Sequence, residues 1–145
     1  MNKIALKNKK ILVTGAAGFI GSNLVIELLK SFDGIKVVGL DNVNNYYDPA
    51  IKEYRLKQIE ERGGDFTFVK GNLADSKLIQ DTFTKYQPDI VVNLAAQAGV
   101  RYSIYLLHNI ITKNCRAKWR ILHLQNGENC RGYSDYQAMK NPLQT

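Results

Sequence analysis

Residues 10–21 read KILVTGAAGFIG and place three glycines, Gly15, Gly18 and Gly21, between an apolar run and an amphipathic segment. A strand that ends at a glycine turn and continues as a helix leaves unpaired backbone N–H groups at the helix start, and these groups bind a pyrophosphate. Gly15 permits the tight turn, Gly18 lets the backbone approach the phosphates, and Gly21 lets the helix lie close to the strand. The stretch therefore predicts a strand, a phosphate-binding turn and a helix.

The flanking segments strengthen this interpretation over that of an ordinary turn with incidental glycines. Residues 10–14 are a compact aliphatic run, typical of a buried parallel strand. The next segment predicts a helix of about 14 residues that ends at Asp33-Gly34, with its apolar face at a four-residue repeat: Ile20, Leu24, Leu28 and Phe32. A second apolar run, 36–40, leads to Asp41, which lies 20 residues after Gly21. At that offset a carboxylate accepts hydrogen bonds from the adenosine ribose hydroxyls.

The remainder of the first hundred residues continues the alternation of strands and helices. A polar helix is predicted over about 51–62 and ends at Gly63-Gly64, and strands are predicted over 66–70 and 90–94. Between those strands, Asp75 or Ser76 caps a helix whose apolar face is Leu78, Ile79, Phe83 and Tyr86.

This order predicts an α/β fold, a Rossmann-like doubly wound parallel sheet that is incomplete, with about four strands. Ligands bind beyond the carboxyl ends of the strands in such folds. We therefore expect the loops at Gly15, Asp41, Asn72 and Ala95 to face one crevice.

Composition and charge limit the class of protein. The chain has 145 residues, 45% of them hydrophobic and 23% charged, as in an ordinary soluble domain. No apolar run approaches the roughly 20 residues that span a bilayer, and no signal core precedes the first strand, so the cytoplasm is expected. Residues 104–145 carry 6 Lys and Arg against 2 Asp and Glu, out of a total net charge of +7. Because no nucleic-acid reader fold surrounds these cations, we do not expect nucleic-acid binding.

The cysteines and histidines do not predict a metal site. Cys115 and Cys130 form no CxxC pair, and His108 and His123 lack ligand spacing with them. Free thiols in a reducing compartment are the plain interpretation.

Four segments resemble the extended short-chain dehydrogenase/reductase family, specifically its nucleotide-sugar epimerases and dehydratases. They are TGAAGFIG at 14–21, LDNVNNYYDP at 40–49, GNLAD at 71–75 and NLAAQAGVRYS at 93–103. The last segment is similar to one found in UDP-glucuronate 4-epimerases. The resemblance covers roughly residues 8–103 and implies a cofactor domain over 1–103, with a divergent, irregular tail over 104–145.

The resemblance implies NAD as cofactor and assigns residues to it by position. The residues implied to bind the pyrophosphate are Gly15, Gly18, Phe19, Ile20 and Gly21. Those implied to bind the adenosine are Asp41, Asn42 and Asn45 at the ribose, and Asn72 and Leu73 at the adenine. Those implied to line the nicotinamide-side ribose are Leu94, Ala95, Ala96 and Gln97. Arg101 and Ser103 lie where the nucleotide-sugar substrate is expected. Asn72 and Asn93 replace the Asp and His that the family commonly has. The acid at Asp41 favours NAD over NADP because it repels a 2′-phosphate.

Each assignment has a structural alternative. Phe19 and Ile20 could be core side chains whose backbone alone touches phosphate, Asn45 could only shape a turn, and Arg101 could be a solvated cation.

The family's catalytic Tyr-x-x-x-Lys set has a weak counterpart, Tyr136 and Lys140. With 8 tyrosines in the chain, such a match arises easily by chance, and no Ser/Thr-rich strand precedes it. Family members run to more than twice this length and are homodimers. The chain is therefore interpreted as truncated, and a tail read in another frame is expected from about residue 112.

The resemblance implies the NAD-binding portion of a nucleotide-sugar 4-epimerase that acts on UDP-glucuronate, in polysaccharide biosynthesis. Two alternatives stay open: a nucleotide-sugar 4,6-dehydratase, and a catalytically inactive NAD-binding fragment. Truncation also predicts an open sheet edge at the fourth strand, which invites association.

Overall fold

The computed structural model describes residues 6–45 and 48–96. Within this part, strands and helices alternate. The strands are β1 (Lys10–Thr14), β2 (Lys36–Asp41), β3 (Asp65–Lys70) and β4 (Ile90–Asn93), and the helices are α1 (Phe19–Ser31), α2 (Pro49–Arg62) and α3 (Ser76–Tyr86). The predicted βαβαβαβ order is confirmed, with element bounds shifted by at most two residues.

The four strands form one parallel sheet in the order β3-β2-β1-β4. The two central strands, β1 and β2, pair with Lys10 opposite Lys36 and Thr14 opposite Leu40. The strands β2 and β3 thus lie on one side of β1, and β4 lies on its other side. Because β4 pairs directly with β1, the ends of these two strands lie together.

Apolar side chains cover both faces of the sheet, which makes it doubly wound. One core cluster packs β1 and β2 against α1 and α2 through Ile11, Val37, Val25, Leu28 and Ile59. On the opposite face, Leu12, Val38 and Leu40 pack against Ile79 of α3. Successive residues of β1 alternate between the two clusters because strand side chains point to opposite faces.

The predicted apolar face of α1 is wrong in part. The buried residues are Gly21, Ser22, Val25 and Leu28, whereas Ile20 is 67% exposed. Ile20 lies in the first turn of the helix, where Gly21 makes the close contact with the Gly15 backbone and so sets the inward side. The helix start instead rests on the turn through Gly21.

Capping residues fix the ends of the other two helices. Asp48 accepts a hydrogen bond from the Ala50 backbone N–H ahead of α2, which ends at Gly63 with φ of 73°. Asp75 caps α3, as predicted, by accepting from the backbone N–H groups of Lys77 and Leu78. None of the helices in residues 6–45 and 48–96 is long and apolar enough to cross a membrane.

Candidate cofactor site

The glycine turn after β1 is held by the end of β2. Gly15 adopts φ of 72°, the left-handed conformation that favours glycine. Its N–H and that of Ala16 both donate to the Leu40 carbonyl oxygen, at 2.7 and 3.3 Å, and the Gly18 N–H donates to the Gly15 carbonyl oxygen at 3.0 Å. The turn is therefore fixed at the carboxyl edge of the sheet, as predicted.

The start of α1 is open to a ligand. Gly18 precedes the helix with φ of −72° and ψ of 169°, and no side chain caps the first turn. The first helical bond runs from the Ser22 N–H to the Gly18 carbonyl oxygen. The backbone N–H groups of Phe19, Ile20 and Gly21 thus have no acceptor among residues 6–45 and 48–96. Free donors at a helix N-terminus attract an anionic group such as phosphate.

Gly21 allows the close approach that positions this helix. A Cβ at position 21 would collide with the carbonyl oxygen of Gly15, and it would lie 2.8 Å from the carbonyl carbon of that residue. Backbone atoms cannot move aside without shifting the whole turn. The predicted role of Gly21, close packing of the helix on the strand, is therefore confirmed by the geometry.

Asp41 lies beside the turn, at the end of β2, and is 7% exposed. One carboxylate oxygen, Oδ2, accepts from the Ala17 N–H at 3.1 Å, and the other, Oδ1, accepts from the Val43 N–H at 2.9 Å. The bond to Ala17 joins the carboxylate directly to the glycine turn. The spacing argument therefore identified a residue that the fold brings beside the open start of α1, and its role in ribose binding stays a prediction.

Lys52, on α2, is a residue of this site that the sequence analysis missed. Its Nζ lies 3.8 Å from Asp41 Oδ1 and donates to Asn44 Oδ1 at 2.8 Å. The signal for its burial was present: Lys52 lies four and seven residues before Leu56 and Ile59, which pack into the core. Residues at these spacings share one helix face.

The loop after β2 contains the two asparagines assigned to the adenosine ribose. Asn42 Oδ1 accepts from the Asn44 N–H at 3.1 Å, so this side chain shapes the loop. Asn45 is exposed and lies in a turn, which agrees with the alternative that this residue only shapes the turn. A role of either residue in ribose binding stays a prediction.

The loop after β3 joins the same edge, since the Gly71 N–H donates to the Asp41 carbonyl oxygen at 2.9 Å. Asn72 is exposed, and its Oδ1 accepts from the Ala74 N–H at 2.9 Å. Leu73 packs against the core cluster on the α3 face. The Asn72 oxygen is thus already engaged in a local turn, and a contact of this side chain with adenine stays a prediction.

A buried hydroxyl joins the end of β4 to the end of β1. Thr14 Oγ1 donates to Asn93 Oδ1 at 2.5 Å and accepts from the Ala95 N–H at 3.3 Å. Leu94 and Ala96 are exposed next to it. A Cβ at Gly15 would lie 2.9 Å from the Ala95 nitrogen, so the loop passes directly against the glycine turn. Asn93, which replaces the family's common His, therefore serves to hold this loop.

The side chains of Phe19 and Ile20 are 71% and 67% exposed. The alternative that they are core residues is wrong, because Gly21, and not Ile20, seats the helix start. The Arg55 guanidinium lies 5.8 Å from the centroid of the Phe19 ring, within cation–π distance.

The remaining predicted site residues lie outside the described part of the chain: Gln97, Arg101, Ser103, Tyr136 and Lys140. The 104–145 tail lies outside it as well. Within residues 6–45 and 48–96, no group of three or more His, Cys, Asp or Glu side chains is placed to hold a metal ion.

Comparison with known proteins agrees with this geometry. Residues 12–136 match the family described as GDP-mannose 4,6 dehydratase, which belongs to the NAD-dependent epimerases and dehydratases. The match includes the glycine turn, Asp41, Lys52 and the loop after β4.

Two curated relatives and one solved structure illustrate the similarity. Protein CapI of Staphylococcus aureus is 49% identical over 107 residues, which is 70% of this chain and 31% of the relative. UDP-glucuronate 4-epimerase 1 of Arabidopsis thaliana is 41% identical over 119 residues, 82% of this chain and 27% of the relative. The UDP-glucose 4-epimerase of Bifidobacterium longum, solved in complex with NAD+ and UDP, superposes with a TM-score of 0.67 at 25% identity, over 83% of this chain and 34% of that one. The chain thus spans about a third or less of the length of these proteins.

Proposed function

The chain belongs to this family of NAD-dependent epimerases and dehydratases, and from that premise we propose that it is the NAD-binding portion of a nucleotide-sugar 4-epimerase of the UDP-glucuronate type. The observation that carries the proposal is the pairing of an uncapped helix start with a buried carboxylate, joined by the bond from the Ala17 N–H to Asp41. A dinucleotide presents its pyrophosphate to such a helix start and a ribose hydroxyl to such a carboxylate.

The chemistry of the donor set fits NAD. The amides of Phe19, Ile20 and Gly21 would hold the pyrophosphate, and Asp41 would accept from a ribose hydroxyl. Asn72 and Leu73 would border the adenine, while Leu94, Ala95 and Ala96, with Gln97 beyond them, would line the nicotinamide half. When bound, NAD would supply the hydride acceptor and donor for reversible oxidation at the sugar C4.

The substrate half of the proposal rests on the relatives. Similarity to UDP-glucuronate 4-epimerases favours UDP-glucuronate and UDP-galacturonate as the substrate pair, with Arg101 and Ser103 near the sugar nucleotide. Arg101 suits a diphosphate or a carboxylate because a guanidinium binds either one in a bidentate manner. A role in polysaccharide synthesis, a cytoplasmic location and a homodimer of full-length relatives belong to the same proposal.

Catalysis by this chain alone is not part of the proposal. The chain spans 27% of the Arabidopsis relative, and Tyr136 and Lys140 are the weak candidates for its acid–base pair. We therefore expect the chain to bind NAD without turnover.

Titration of the purified chain with NAD+ by calorimetry tests the cofactor site. Gly18→Val should weaken NAD+ binding by at least about tenfold, since a branched side chain would occupy the phosphate position. The φ of −72° at Gly18 is open to any residue, but a Cβ there would lie 3.0 Å from the Gly15 carbonyl oxygen, so circular dichroism must show that the variant is folded. Ala50→Val, at the exposed start of α2, is the matched control and should leave the affinity unchanged.

The same protein, incubated with NAD+ and UDP-glucuronate and analysed for the 4-epimer, tests the catalytic half. A 4-epimer product would contradict the inactive fragment, and absence of NAD+ binding in the wild-type chain would overturn the whole proposal. A parallel incubation with UDP-glucose and GDP-mannose checks the dehydratase alternative, which predicts a 4-keto-6-deoxy sugar instead.

A further inference from the structure

A buried cation lies directly behind the carboxylate proposed to bind the adenosine ribose. The side chains of Lys52 and Asp41 are 10% and 8% exposed, and 3.8 Å separates Nζ from Oδ1. Lysine is rarely buried at this level unless it is paired. A pair so placed is also poorly screened by salt, so both charges act on whatever binds beside them.

The hydrogen bonds of the pair leave room for a ligand. A carboxylate has about four acceptor positions, of which the Ala17 N–H and the Val43 N–H take two, while Lys52 Nζ at 3.8 Å forms an ion pair and not a hydrogen bond. The ammonium has three donors, of which one is bound to Asn44 Oδ1 and one faces Asp41. Among residues 6–45 and 48–96, the carboxylate therefore keeps acceptor positions, and the ammonium keeps donors, for a ligand bound beside the pair.

These charges bear on the choice between the two dinucleotides. A lone carboxylate at this position favours NAD because it accepts from the ribose 2′-hydroxyl and repels a 2′-phosphate, whereas a cation accommodates that phosphate. Here a carboxylate and an ammonium form one buried pair, and the net charge of this pair is zero when both groups are ionised.

We propose that Lys52 is a specificity-determining residue, which lowers the penalty that Asp41 imposes on a 2′-phosphorylated dinucleotide. The chain then discriminates between NAD and NADP less strongly than Asp41 alone would. The inference rests on the proposed function, since it requires the adenosine ribose to lie beside Asp41.

Calorimetric titration of the full chain with NAD+ and with NADP+ tests this, and the readout is the ratio of the two dissociation constants. Lys52→Met keeps the aliphatic stem and removes the charge, so the preference for NAD+ should rise by about tenfold. Asp41→Asn leaves the ammonium unopposed and should shift the ratio toward NADP+ by a similar factor. The double variant Asp41→Asn/Lys52→Met restores local neutrality, and its ratio should lie between those of the single variants.

Lys36→Met is the matched control. Lys36 forms an ion pair with Asp65 at 3.1 Å, but this pair is exposed and lies at the opposite end of β2. The variant removes the same charge from the same sheet, and the ratio should stay within about twofold of wild type.

The outcomes separate the two proposals. A folded Lys52→Met variant with an unchanged ratio, or single variants that shift the ratio in the same direction, would overturn the role of Lys52 while the NAD site stands. If Lys52→Met does not fold, as judged by circular dichroism, Asp41→Asn decides alone, and a ratio that fails to move toward NADP+ overturns the inference. A wild-type chain that binds neither dinucleotide overturns both proposals.

Discussion

At the scale of single residues, the Thr14 hydroxyl has a role in the site that a substitution can test directly. Thr14→Val keeps the shape but leaves Asn93 Oδ1 and the Ala95 N–H without their partner, at a fully buried position. We expect a loss of about 1–3 kcal/mol in the free energy of unfolding, measured in urea. The Ala95 amide should also exchange its hydrogen faster.

Thr14→Ser is the control for this prediction, because it keeps the hydroxyl and removes only a methyl group. Protection of the Ala95 amide should then persist. Equal protection of this amide in the valine variant would show that the hydroxyl does not hold the loop.

Residue spacing predicted Asp41 but not Lys52, for a physical reason. The offset from the glycines reflects the fixed length of one helix and one strand, so it can be counted along the chain. The spacing of Lys52 from Leu56 and Ile59 indicates a shared helix face, but the position of its ammonium beside Asp41 depends on how α2 packs against the sheet, and the other lysine of this helix, Lys57, forms an exposed ion pair with Glu61 instead. Composition alone does not separate the two lysines.

At the scale of elements, the contribution of an N-terminal cap to the free energy of unfolding can be measured at α3. Asp75 Oδ1 accepts from the backbone N–H groups of Lys77 and Leu78 at 3.0 and 3.1 Å. Asp75→Ala should reduce the free energy of unfolding by about 1 kcal/mol, since two donors at the helix start lose their acceptor. Thermal or urea unfolding measures the change.

Asp81→Ala removes the same charge from an exposed position within α3 and should change stability by less than about 0.5 kcal/mol. If both variants lose the same stability, the effect comes from charge and not from capping.

The order and type of the elements could be read from the sequence because strands, turns and helices each have their own pattern. Gly63 and Gly64 end α2 as predicted, and Ile79, Phe83 and Tyr86 pack inward from α3. The face of α1 could not be read so well. Its position is fixed by the contact between Gly21 and the Gly15 backbone, and a residue without a side chain contributes nothing to an apolar pattern.

At the scale of the whole molecule, the outer edge of β4 is a site at which the chain is expected to associate. In the part of the chain that the model describes, β4 pairs with β1 alone, and all four of its residues are partly exposed. Unpaired strand edges recruit other strands. We expect the 145-residue chain to associate with rising concentration, measured by sedimentation velocity; a monomer at every concentration would show that the edge is covered.

The assembly of the site from four loops follows from the topology. Parallel strands end at the same edge, so the loops at Gly15, Asp41, Asn72 and Ala95 are brought together although 80 residues separate the first from the last. The sequence predicted this convergence. It could not predict the hydrogen bonds that join the loops, because these depend on atomic positions that only the folded chain defines.

The outward orientation of Phe19 and Ile20 has a consequence for how this corner tolerates change. The donors at positions 19 and 20 belong to the main chain, which every amino acid except proline supplies alike, while the attached rings and methyl groups extend into the surroundings. Substitutions there would change the exposed side chains beside the crevice and leave in place the main-chain donors that are proposed to bind the pyrophosphate. The proposed recognition of the dinucleotide and the character of the neighbouring surface can therefore vary independently.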